Sequence, residues 1–381
     1  MIPIILNGNN MKTTSKGTSP IITIGSGNVE HILEYDGEIQ IGRKHIVTSY
    51  ELFGGSCINY SLKLMAVGMD VFPIPFIGKD QHGHDIRKHL IKTGLERELD
   101  EKTLQFIGSE DFLFPNVQTP KAIIVVHQGH RTIFSQGLPI RKNIEEHFQN
   151  RLDLLCKLVS YNTGSVMIGH ISVDGDNHKP GIISRKIINT YFNNFFLFAN
   201  FGTSQIKHGV DFWLKDLAHI DLFQLNLEEI RRFFNQSNRN SSLNEIIKFL
   251  RERSITAVIT INRFGAIGTY KDGSDGIVLA WPLKIRKIID PTGAGDAFAS
   301  GMISSLNGNK HFTFEDFLSA IVEGRDWASY ACTTIGASGN CPDKKTLDTF
   351  RKKYSNASHK LIEVIKPNYA EQIIDLIDMA Y

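Results

Sequence analysis

Four short runs in the middle of the chain, SVMIGH (165–170), FFLFANFG (195–202), DLFQLN (221–226) and ITAVITIN (255–262), are apolar with almost no alternation. A strand wetted on one face alternates apolar and polar residues, whereas an unbroken apolar run has to be covered on both faces. Helical stretches such as LNEIIKFLRER (243–253) fall between the runs, and repeated strand–helix–strand units pair their strands in parallel with helices above and below. The expected fold is therefore α/β: a doubly wound, mostly parallel sheet flanked by helices. PIITIG (20–25) and VFPIPFIG (71–78) read as two earlier strands of the same kind. CINYSLKLMAVG (57–68) reads as the helix between them, and HDIRKHLIKTG (84–94) as a further helix closed by Gly94.

Three segments break this rhythm. HILEYDGEIQI (31–41) and RKHIVTSYELF (43–53) alternate apolar and polar residues, with an Asp36-Gly37 turn signal, and KAIIVVHQGHRTIFSQG (121–137) turns near Gly129. They read as antiparallel ribbons that pair into a small β-sheet lid, formed by about 31–53 and 111–136, over a main domain spanning 21–365. Residues 1–20 form an N-terminal extension and residues 366–381 a C-terminal helix. Exposed strand edges on such a lid invite a second copy, so a homodimer through the lid is expected.

The chain's 381 residues carry a formal net charge of only +2, and its four cysteines (Cys57, Cys156, Cys332, Cys341) show no C-x-x-C spacing. No strong field points to nucleic acid or to an anionic membrane, and neither a zinc site nor a disulfide framework is indicated. The first residues lack a basic segment ahead of their short apolar run, so the setting expected is cytoplasmic and the partner a small molecule.

The chemistry concentrates in IRKIIDPTGAGDAFASGM (285–302). Gly293, Ala294 and Gly295 open a helix of small residues and present backbone N–H groups to an anion. Asp296, at the same end, is suited to accepting a proton from an attacking hydroxyl. Taken alone, the string fits either a general base or an ordinary acid at a helix N-terminus. In context it resembles the second signature of the ribokinase or phosphofructokinase B (PfkB) family of carbohydrate kinases. GGSCINYSLKLMAVGMDVFPIPFIGKDQHG (54–83) resembles the first, through Gly54, Gly55, Asn59 and the glycines and aspartate that follow.

The resemblance implies a phosphotransferase that moves the γ-phosphate of ATP, with Mg²⁺, to a hydroxymethyl group of a sugar; a nucleoside such as adenosine, inosine or guanosine is the alternative acceptor. By the same resemblance, Asp296 is the base and Gly293, Ala294 and Gly295 form the anion hole. Asn28, Glu30, Gly54, Gly55 and Asn59 line the acceptor site, Glu30 standing where related kinases have an aspartate that grips a diol. Asn226, Thr260, Asn262, Gly265 and Arg325 belong to the nucleotide site, Asn262 replacing a glycine. Glu229, of the pair Asn226/Glu229, helps hold Mg²⁺ through water. Asp290, with Thr292 and the carbonyls of 334–340, is the implied seat of a monovalent cation such as K⁺. His130 and Arg131, on the lid hairpin, fit either a reach into the acceptor site or an exposed hairpin tip. Glu30 and Asn262, as departures from the family pattern, also suggest a catalytically weak ligand-binding sensor; the intact G-A-G-D argues for catalysis.

Overall fold

The computed structural model describes residues 19–127, 130–136, 144–158, 163–176, 178–271, 276–338, 341–355, 362–365 and 367–380. Nearly all of the N-terminal extension, the turn at Gly129 and Asn340 lie outside these residues, as do the side chains of His130 and Arg131. In chain order the strands are β1 (Ile21–Ser26), β2 (Asn28–Glu34), β3 (Thr48–Gly54), β4 (Val71–Phe76), β5 (Lys121–His127), β6 (His130–Gln136), β7 (Gly164–Ile168), β8 (Phe195–Ala199), β9 (Leu222–Asn226), β10 (Ala257–Thr260), β11 (Ala266–Thr269), β12 (Ile277–Ala280) and β13 (Ile362–Ile365).

Nine of them form one sheet in the order β13-β12-β11-β10-β9-β8-β7-β1-β4. From β10 to β4 every neighbouring pair is parallel. The apolar runs supply its strands, with Ile24, Val166, Phe198 and Leu222 wholly buried. This is the mostly parallel, helix-flanked sheet expected. Past β10 the pairing turns antiparallel through β11, β12 and β13, an extension too short to read as strand pattern. The helix Gln81–Glu96 runs through Gly94 and does not stop there. Gly94 serves packing: a Cβ there would come within 2.8 Å of Leu104 Cδ2.

The second sheet has the order β3-β2-β5-β6, the two ribbons meeting through parallel β2 and β5. Its first ribbon differs from the sequence reading. Glu34 pairs with Thr48, so Asp36-Gly37 sits in a long connection and not in a tight turn. Side chains close that connection instead: Tyr35 Oη meets His45 Nδ1 at 3.0 Å, and His45 Nε2 meets the Gln40 carbonyl at 3.0 Å. One face of the sheet buries Ile32, Ala122 and Ile124 with Leu52 packed on them. On the other, the cross-strand pair Ile123 and Phe134 is exposed. The helix Pro367–Ala380 is tied to the main body through Asp378, which pairs with Arg231 and accepts the Leu243 N–H. Among the described residues no helix is long and apolar enough to cross a membrane.

Asp174, beyond β7, is a buried carboxylate in this scaffold. It accepts the N–H groups of Ile183 at 2.8 Å and Ser184 at 3.0 Å, and the Ser184 hydroxyl at 2.5 Å. Burial nevertheless raises its carboxyl from 3.8 to about 6, the hydrogen bonds opposing the rise. The folded chain therefore binds the extra proton between those values. The group's stabilisation is complete below the unfolded value and is lost as pH rises through about 6. Replacing Asp174 with Asn removes that titration. From the size of one pKa unit, the parent should lose about 2–3 kcal/mol more than Asp174→Asn in denaturant unfolding between acid and neutral pH. Parallel pH profiles of parent and variant would contradict this.

Candidate active site

The helix Ala294–Leu306 begins beneath the carboxyl ends of the parallel strands, where open α/β sheets place their ligands. Gly293 caps it in a left-handed conformation (φ 74°), which glycine adopts without strain. A Cβ on Gly293 would lie 2.6 Å from Ala337 Cα, so the neighbouring loop also requires glycine. The amides of Gly295 and Asp296 find no backbone acceptor among the described residues. A Cβ on Gly295 would meet nothing within 4 Å, leaving open space over those donors. Unpaired amides at a helix N-terminus facing open space make an anion cradle. From β9, buried Gln224 holds the turn from below, its Nε2 donating to the Gly295 carbonyl at 3.1 Å.

Asp296 does not act as a cap. Its Oδ2 accepts from Asn59 Nδ2 at 2.6 Å, across 237 residues of chain. Asn59 rides on the helix Ser56–Ala66, whose residues are all buried. Gly55 (φ 92°) brings that helix so close to β1 that a Cβ would lie 2.6 Å from the Ser26 carbonyl oxygen. Tyr60 is buried beside the pair, and burial, with the charges of Asp296 and Glu229, holds its phenol well above the ordinary range.

The residues expected to line the acceptor site lie on β2, at the end of β3 and on the helix that follows it. Glu30 and Asn28 share one face of β2, and Asn28 pairs with Gly54. Gly54 lacks the Cβ that would overlap the Glu30 carboxylate. Asn28 Oδ1 and Asn59 Oδ1 are buried and accept no hydrogen bond among the described residues. A buried acceptor without a donor is costly, so both oxygens call for ligand O–H or N–H groups.

Of the residues expected at the nucleotide and Mg²⁺, Asn226 and Glu229 form a reciprocal cap: Asn226 Oδ1 accepts the Glu229 N–H at 2.8 Å, and Glu229 Oε2 accepts the Asn226 N–H at 3.0 Å. Thr260 is the register partner of Asn226 on the adjacent strand. Asn262 adopts φ 41°, a conformation asparagine tolerates better than most residues, and so fills the glycine position. Gly265 (φ 92°) closes the turn against the Ala280 carbonyl. Arg325, expected in the nucleotide site, is instead committed to its own helix pair. Its guanidinium is buried and bonds Asp326 Oδ1 through Nε at 3.0 Å and Nη2 at 2.7 Å, while Arg351 reaches Asp326 from the following helix at 3.1 Å. This internal ion-pair network turns the side chain inward.

Sequence reading missed His170 and Asn200. They follow β7 and β8 as Asn226 ends β9, and that position past an apolar run was the available signal. His170 Nε2 meets Asn200 Oδ1 at 3.1 Å, and the His170 N–H donates to Ser56 Oγ at 2.9 Å. Burial raises the Glu229 carboxyl, the nearby His170 lowers it and Asp296 raises it again. Glu229 and Asp296 are thus near enough for the charge of one to act on the other, although among the described residues no group of three or more such side chains forms a metal cage. Such a pair favours a hard divalent cation, so the residues fit Mg²⁺, which would be held by Glu229 largely through water and would neutralise phosphate charge.

The monovalent site fits less well. Asp290 Oδ1 accepts from Thr292 N and Oγ1 at 2.8 and 2.6 Å, and Oδ2 accepts the Gly336 N–H at 2.8 Å. Among the described residues three hydrogen bonds already fall on this carboxylate, which leaves about one lone-pair site, on Oδ2, for a cation.

A family model described as "pfkB family carbohydrate kinase" matches residues 200–344. A nucleoside kinase of Methanocaldococcus jannaschii is 26% identical over 312 residues, covering 81% of this chain and 83% of that protein. Among solved structures, a ribokinase from Giardia lamblia superposes with TM-score 0.65 at 17% identity, over 89% of this chain and all of its own. Burkholderia thailandensis nucleoside kinase in complex with inosine gives TM-score 0.62 at 16% identity, over 88% and 97%. At such identities the structures speak for the fold alone. The family model covers residues 200–344, the curated relative is similar over most of its length and the solved structures share the fold, so the chain resembles the ribokinase or PfkB kinases, which are phosphotransferases acting on an alcohol group.

Proposed function

We propose that the chain transfers the γ-phosphate of Mg-ATP to the hydroxymethyl group of a sugar. The observation that carries this reading is the Asn59–Asp296 hydrogen bond, which ties the helix that opens with Gly293 to the helix that carries Asn59. Asp296 takes the proton of the attacking hydroxyl while the amides at Gly295 and Asp296 receive the transferring group. Glu30 accepts from two adjacent hydroxyls, and the amide oxygens of Asn28 and Asn59 complete the acceptor's hydrogen bonding. Thr260, Asn262 and Gly265 line the nucleotide's path. Arg325 supports that wall from behind. A panel of sugars and nucleosides assayed for ADP release with Mg-ATP tests the proposal.

A nucleoside acceptor is the second reading. It is favoured by the nucleoside kinase relative, and it leaves the ribose contacts unchanged. The apolar lid residue Leu52, on the same face of the sheet as Glu30, would then flank the base. A sensor without catalysis has less support, since the Asn59–Asp296 contact has no use in a pure binder. Pairing of two copies through the exposed Ile123–Phe134 face, and a cytoplasmic setting, belong to the same proposal.

The small sheet is the lid of this reading, excluding water from the transferring phosphate. Hydrogen exchange of Thr48–Gly54 and Lys121–His127 should slow when the acceptor binds. Unchanged exchange in both strands would remove the lid.

A further inference from the structure

Lys63 is a charged side chain in a wholly buried helix, only 3% exposed. It stands one helical turn beyond Asn59, on the same face. Where Asn59 holds Asp296, Lys63 Nζ donates to the carbonyl of Ala337. Among the described residues this carbonyl is its hydrogen-bond partner, and Lys63 makes no ion pair with a carboxylate. A buried charge without an opposite charge is unfavourable unless a counter-charge arrives.

The loop that Lys63 grips is the hub of the phosphate site. Ala337 packs directly on Gly293, the cap of the anion cradle. Next to it, the Gly336 N–H donates to Asp290 Oδ2 at 2.8 Å, and Gly336 lies under Leu52 of the lid. On the other side, the Ser338 hydroxyl donates to the carbonyl of Phe53 in β3. Residues 336–338 thus join the anion cradle, the Asp290 turn and the lid, and the ammonium of Lys63 is the positive charge placed among them.

We propose that Lys63 is a built-in cation of the phosphate site. Its ammonium holds residues 336–338 against Gly293 and does there what a bound monovalent cation would do, so this chain binds phosphate without K⁺. The incoming terminal phosphates supply the counter-charge that Lys63 lacks. The inference rests on the phosphotransfer reading and deepens it. Lys63 is a positioning residue, acting through the loop on the amides that touch the phosphate.

The test is calorimetric binding of Mg-ADP to the full chain in potassium chloride and in choline chloride at equal ionic strength, for the parent and for Lys63→Met. The parent should bind equally in both salts. Lys63→Met should lose about ten- to a hundredfold in Mg-ADP affinity, the scale of a lost hydrogen bond from a charged group, with AMP affinity unchanged. A general loosening of the fold would weaken both ligands alike. Parent affinity that rises tenfold in potassium overturns the proposal, as does a Lys63→Met chain that binds Mg-ADP like the parent or loses AMP to the same degree. The salt comparison on the parent stands even where the variant does not fold. A parent that binds Mg-ADP in choline yet phosphorylates no acceptor fails the kinase reading and leaves the Lys63 result readable. A parent that binds no nucleotide in either salt overturns both.

Discussion

Asp296→Asn is expected to fold, to bind Mg-ATP and to turn over roughly 10² to 10⁴ times more slowly than the parent, the range for removal of a positioned general base. The amide keeps the shape of the carboxylate but not its basic oxygen. In the parent, Asn59 Nδ2 donates to Oδ2 at 2.6 Å, which orients the carboxylate; on the proposed reading Oδ1 receives the acceptor hydroxyl. The competing view makes Asp296 a helix N-terminal acid. It expects a stability change of about 0.3 to 1 kcal/mol and nearly normal turnover. The two outcomes separate in kcat, measured at saturating Mg-ATP and acceptor.

Glu30→Ala carries the second largest effect. Each hydrogen bond from a ligand to a charged group contributes about 1.5–3 kcal/mol, so loss of two hydroxyl contacts should lower kcat/KM by roughly 10² to 10⁴ fold. The loss should fall mainly on KM, because the carboxylate binds the acceptor and not the reacting atoms. Gly54 makes this role specific to the site, since any side chain there would displace the carboxylate. Deoxy analogues at either hydroxyl should reproduce part of the loss in the parent and none in Glu30→Ala. Equal reactivity of deoxy and parent acceptors with the wild-type chain would contradict the diol role.

The parallel core was legible because burial on both faces forces unbroken apolar runs, and such runs are visible without any partner. The signature glycines were legible too, because a left-handed Gly293 and a close-packed Gly55 leave no other choice of residue. β11, β12 and β13 were not, since four-residue strands carry too little alternation to stand out from loops. Asp36-Gly37 misled because a turn dipeptide fixes local preference and not strand register, which here follows from Glu34 meeting Thr48. Arg325 and Lys63 were hidden for one reason: a charged residue on a helix is ordinarily solvated, and only the packing of a second helix or loop shows it turned inward. Gln224 was masked by the apolar run that contains it.

The most direct test of phosphotransfer to a hydroxymethyl group is the proton-coupled ³¹P NMR spectrum of the product formed from Mg-ATP and the best acceptor of the panel. A phosphomonoester triplet, split by two equivalent or nearly equivalent methylene protons, that appears only with the acceptor and disappears with Asp296→Asn is the predicted result. A doublet, marking phosphate on a secondary hydroxyl, or inorganic phosphate alone from a folded chain that binds Mg-ATP, would contradict it.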